Sequence, residues 1–282
     1  MAERVTTVLV EGLRFPEGPR WHEGRLWCSD QHDRRVLAVS TDAAVESIVE
    51  VPQCPSGLGW LPDGRLLVVS MHDRRLLRLD PGGLTEVADL SLLATWHCND
   101  MVVDAVGRAY IGNFGFDLDG QAAPSATVIV RVDPDGSVRV AADEIRFPNG
   151  TVITPDGRTL IVGESYGGCL TAFDVDIDGG LSNRRLWAQL TGAVPDGICL
   201  DAEGAIWSAC PLTGRVLRVR EGGEVTDEVR VSRNGAYACM LGGADRRTLF
   251  VCAADASDPA ATGDLRGAIE TCEVEIPGAG LP

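Results

Sequence analysis

The chain has 282 residues, of which 45% are hydrophobic and 5% aromatic, and it carries a net charge of −16. That charge excludes a nucleic-acid surface, which needs clustered basic side chains; all 25 basic residues are arginine, so Schiff-base chemistry through a lysine is excluded too. No apolar run reaches the length of a membrane span and no basic-then-apolar leader opens the sequence, so the expectation is a cytoplasmic protein with no membrane partner.

In chain order, Val5 to Leu13 (VTTVLVEGL) reads as an opening strand. Six units follow, aligned on the turns HEGR at 22–25, PDGR at 62–65, AVGR at 105–108, PDGR at 155–158, AEGA at 202–205 and ADRR at 244–247. Their turn glycines, with Asp245 standing in for the last, are 40, 43, 50, 47 and 41 residues apart. Each unit repeats one grammar: a short apolar strand, a tight turn, a second apolar strand (RLLVVSM, RAYIGNF, RTLIVGES), a more charged third and a polar fourth. Glycine-bearing turns between apolar runs signal hairpins. A period in the forties built only of strands and turns predicts a six-bladed β-propeller of four-stranded antiparallel blades. The alternating C-terminal run AIETCEVEIP from Ala268 would share a blade with the opening strand and close the ring, giving one domain over residues 1–282. The polar insert from Phe116 to Thr127 is a loop that could wall or cover a site.

One column of the repeat stands out. Just before each first strand, the same register position holds Glu17, Ser56, Asn99, Asn149, Asp196 and Tyr237. In a propeller the first strands surround the axis, so these positions converge on one ring although no local motif links them. Glu17, Asn99, Asn149 and Asp196 make an all-oxygen donor set suited to one hard divalent cation, Ca²⁺ first, with Mg²⁺, Mn²⁺ or Zn²⁺ as alternatives. His97 and Asp100 flank Asn99, while His72, Phe114, Asp117 and Tyr166 fall where strands end and are expected in the wall of a substrate pocket. The nine cysteines show no CxxC pair and sit mostly in apolar runs, so they are expected as free, buried thiols. The four histidines all precede Cys98, which gives a zinc cluster poor support.

Four stretches in this order, FPEGPRW at 15–21, CNDMVVDAVGRAYIGNF at 98–114, FPNGTVITPDGRTLIVGES at 147–165 and PDGICLDAEGAIWSAC at 195–210, resemble the senescence-marker/gluconolactonase (regucalcin-like) family of metal-dependent lactonases. The resemblance implies a metal near the axis, held by Glu17, Asn149 and Asp196, with Asn99 as a fourth ligand or a substrate contact. It implies hydrolysis of a lactone. The metal would polarise the carbonyl while Asp196 activates water or attacks directly, and His97, whose side chain ordinarily titrates near neutrality, is the second choice of base. Sugar lactonases of the family often carry an arginine where this chain has His97, which leaves a less polar lactone or another ester-like substrate open. Two other classes share the architecture: a strictosidine-synthase-like condensing enzyme, which uses a glutamate without metal, and a non-catalytic propeller that binds calcium or a partner.

Overall fold

The computed structural model describes residues 4–257 and 266–279, and its strands form six sheets arranged as a β-propeller. Blade I runs outward from the axis through Pro16–His22, Arg25–Asp30, Arg35–Val39 and Val45–Glu50. Blades II to V repeat that order from inner strands Pro55–Trp60, Cys98–Val103, Pro148–Ile153 and Ile198–Leu200. Blade VI is built from Gly235–Gly242, Thr248–Ala254 and Gly267–Glu273, and its outermost strand is Thr7–Leu13. The expected closure by the two ends of the chain is therefore present, with Thr7 paired antiparallel to Thr271. The inner strands touch in cyclic order, I against II through to VI against I.

The opening strand departs from the expected single run. Arg4–Val5 pairs parallel with Val225–Arg230 and gives blade V a fifth strand, whereas Thr7–Leu13 belongs to blade VI. Thr6 is the crossing point, its amide donating to the Arg230 carbonyl at 3.1 Å. One segment thus staples two neighbouring blades.

The second strand of each blade is mostly apolar in its middle because both of its faces are buried there. Leu66 and Val68 face blade I, whereas Leu67 and Val69 face blade III. Leu160 and Val162 meet Tyr110 and Phe173, while Ile161 turns toward Ile198 and Ile206 of blade V. The core is therefore a set of wedges between blades, each filled by period-2 alternation from both sides. All nine cysteines are free; Cys169 and Cys272 are half-buried and the other seven are buried.

The turn glycines take the left-handed conformation their position demands: Gly24, Gly64, Gly107, Gly157 and Gly204 have φ between 70° and 91°. In the last repeat the left-handed residue is Arg246 at φ 58°, one position later than the Asp245 alignment places it.

Four other glycines follow the column residues and serve a different end. A Cβ on Gly57, Gly150 or Gly197 would lie 2.3–2.4 Å from Met101 N, Ile198 N or the Ala238 Cβ of the next blade, and one on Gly18 would lie 2.9 Å from Ser56 O. Adjacent inner strands approach there closely enough to bond directly, Gly150 N to Asp196 O at 3.1 Å and Gly197 N to Tyr237 O at 2.8 Å. Of the four, only Gly18 has a positive φ, so close approach rather than turn chemistry explains the PSG, PNG and PDG motifs.

Candidate functional site

The inner strands are irregular at the column. Strand register shifts between Glu17 and Arg20, Pro55 and Leu58, Cys98 and Met101, Pro148 and Thr151, and Ala236 and Ala238. Such bulges re-aim side chains. Their result is a cavity of about 500 Å³, lined by Glu17, Asn99, Asn149, Asp196 and Tyr237 from five of the six column positions. Ser56, the sixth, is buried behind Gln31, whose amide donates to its hydroxyl at 3.4 Å.

Two carboxylates face this cavity and their electrostatics are severe. Burial, reinforced by Asp100, pushes the Glu17 carboxyl up to about 8, although the Gly18 amide donates to its Oε2 at 2.8 Å. Burial, then the charge of Glu17, pushes Asp196 well above the usual carboxylate range, partly opposed by a hydrogen bond from Asn149. Arg20, the nearest guanidinium, is taken by another group: its Nη2 donates to Asp100 Oδ1 at 2.6 Å and also to the Met101 carbonyl.

The two asparagines are oriented by their amide hydrogens. Asn99 Nδ2 donates to the Pro148 carbonyl at 3.3 Å, and Asn149 Nδ2 donates to Ser165 Oγ at 3.2 Å. Each amide oxygen is then the atom left for the cavity. Ser165 in turn donates to the Pro195 carbonyl at 2.7 Å, tying the Asn149 strand to the segment that carries Asp196.

Among the described residues no three His, Cys, Asp or Glu side chains gather as a metal cluster. The donor set here is two carboxylates and two amide oxygens. That chemistry fits a hard divalent cation, whose charge offsets two carboxylates that have hydrogen-bond donors but no paired guanidinium.

The other expected site residues divide. Phe114 and Tyr166 line the cavity. His97 does not: its ring stacks on Trp96 at 5.0 Å, tilts against His72 at 4.6 Å and meets the edge of Phe114 at 5.9 Å. Burial lowers the proton affinity of both histidines. Asp100 also lies outside the lining, ion-paired with Arg20, and Asp117 caps its own loop by accepting from Gly120 N at 2.7 Å. From the polar insert, Leu118 reaches the cavity wall and Phe116 is buried beside Phe147. Sequence reasoning missed Ser165, Phe15 and Phe147. Ser165 directly follows the second strand, its amide donating to the Phe147 carbonyl at 3.1 Å, and strand alternation alone does not show that its hydroxyl meets Asn149.

A six-bladed propeller with a carboxylate-and-amide ring in an axial cavity is the class that fold and site define. The chain belongs to the SMP-30/Gluconolactonase/LRE-like region family, which residues 15–255 match. It is 33% identical over 175 residues to regucalcin of Danio rerio, a stretch covering 61% of this chain and 59% of that protein. It is 27% identical over 286 residues to pentonolactonase XacC of Haloferax volcanii, covering 97% of this chain and 96% of the relative. Among solved structures, a calcium-binding regucalcin from Agrobacterium tumefaciens superposes with a TM-score of 0.83 at 25% identity, covering 100% of this chain and 99% of the other. No helix among the described residues is long and apolar enough to cross a membrane.

Proposed function

We propose that this chain is a divalent-metal-dependent hydrolase that opens a lactone ring, working as one propeller domain. The observation that carries the reading is the pairing of a buried carboxylate, Asp196, and a half-buried one, Glu17, with two oriented asparagine amides in the lining of one cavity. The pentonolactonase relative supports the reaction class and the calcium-binding neighbour supports the ion.

Glu17, Asn99, Asn149 and Asp196 would hold the cation, calcium first, which there supplies Lewis-acid polarisation of a carbonyl and stabilisation of an oxyanion. Asp196 is the base, a carboxylate facing the cavity and held by a hydrogen bond from Asn149. It takes a proton from the attacking water and returns it to the ring oxygen as the ester C–O bond breaks, giving a hydroxy acid. Asn149 steadies Asp196, and Ser165 steadies Asn149. His97 ranks behind Asp196 because it stands outside the lining.

The test is elemental analysis of the purified protein together with lactone hydrolysis before and after chelation. One divalent ion per chain, with hydrolysis lost to chelator and restored by metal, is the expected result. Asp196→Asn should lower kcat by at least about 100-fold while leaving the fold intact. Hydrolysis that survives complete metal removal would sink the metal's role; bound metal without turnover of any lactone would make this a binding protein.

A further inference from the structure

Above its oxygen floor the cavity is apolar. Phe15 meets the Tyr237 ring edge-on at 4.7 Å on one side, and Phe114 stacks on Phe147 at 4.6 Å on the other. Phe147 continues the wall to Tyr166, with ring centroids 5.3 Å apart. Toward the mouth, Leu118, Tyr166 and Leu212 are 37%, 48% and 78% exposed, large apolar groups standing in water around one opening. Large apolar groups exposed around one opening mark a binding region.

The polar inventory is as telling. Among the described residues no arginine or histidine lines the cavity. Several lining donors are engaged within the protein, Asn99 with Pro148, Asn149 with Ser165, Ser165 with Pro195 and Gln31 with Ser56, and beyond them the polar groups of the wall are Ser257 and the two tyrosine hydroxyls. A substrate rich in hydroxyl groups would press them against phenyl rings with few partners, and an unpartnered buried hydroxyl is costly. An anionic substituent would lie against phenyl rings with no arginine or histidine of the lining to receive it.

Resting on the lactonase reading, we infer that the substrate is an uncharged lactone bearing an alkyl or aryl substituent. Its ring carbonyl sits at the Glu17–Asp196 floor, and its substituent lies along Phe114, Phe147 and Tyr166.

The experiment keeps binding and turnover apart. The protein with its metal is titrated calorimetrically with hydrolysis-resistant δ-lactams carrying substituents of zero to six carbons, and with a polyhydroxylated lactam. Kinetics are run on the matching lactones. Affinity for the lactams should rise roughly fourfold per methylene over the first few carbons, and the polyhydroxylated lactam should bind no better than the bare ring. Leu212→Ser and Tyr166→Ser alter exposed side chains and should flatten that slope. A flat series, or tightest binding of the polyhydroxylated lactam, overturns the substrate class even if lactones are hydrolysed. A steep lactam series without turnover of any lactone supports the class of ligand and removes the reaction.

Discussion

Arg20 and Asp100 carry opposite charges into the interior, with side chains 3% and 9% exposed, and they join blades I and III at 2.6 Å. Removing one partner of such a pair strands the other without water. Arg20→Ala is therefore expected to cost about 3–5 kcal/mol of stability, whereas the paired change Arg20→Met with Asp100→Leu should recover most of it. Urea unfolding of the single and double variants checks this; equal losses in both would mean that packing, not charge, is at stake. In the sequence Asp100 reads as a substrate contact simply because it follows Asn99. Its partner lies 80 residues away in another repeat, a relation that no spacing reveals.

At the scale of elements, the column and the strand grammar were readable because a propeller repeats the same physical problem six times. Residues that face the axis need the same register wherever they occur, so Glu17, Asn149 and Asp196 stand out together. What could not be read is how near one blade comes to the next. PNG looks like a turn, yet Gly150 lies within the strand Pro148–Ile153, and a Cβ there would lie 2.3 Å from Ile198 N. Gly150→Ala should therefore destabilise by about 1–3 kcal/mol and disturb the neighbouring Asp196. Chemical denaturation would register the first and metal affinity the second. A variant as stable as the parent would show that the blades can separate freely. The aromatic wall was half legible: Phe114 and Tyr166 end second strands, but Phe15 and Phe147 precede inner ones, where the repeat offers no reason for an aromatic ring.

For the molecule as a whole, the two cavity carboxylates make stability depend on pH in an unusual direction. Glu17 titrates near 8 in the folded, metal-free protein against an ordinary value of 4.5, so between these values the folded state holds a proton that the unfolded state has released. Stability of the metal-free protein should accordingly fall as pH rises from about 5 to 8, by up to about 1.4 kcal/mol per unit for each such proton, with Asp196 acting in the same sense. Saturating calcium should abolish the decline, and calcium should bind more tightly as pH rises, because the cation takes the place of those protons. Urea midpoints at several pH values, with and without calcium, decide it. Metal-free stability that climbs between pH 5 and 8 would contradict the raised proton affinity of Glu17 and Asp196.

The outermost strand of blade VI has a history as well as a position. Thr7–Leu13 is made before every blade, yet its antiparallel partner Gly267–Glu273 is made after nearly all of them. At roughly 5–20 residues per second, that strand waits tens of seconds on the ribosome with its backbone donors and acceptors unmet. During that interval the edge of a finished blade from another nascent copy is a competing partner. The acidic charge of the chain, −16 overall, repels such copies from one another while each waits for its own last strand.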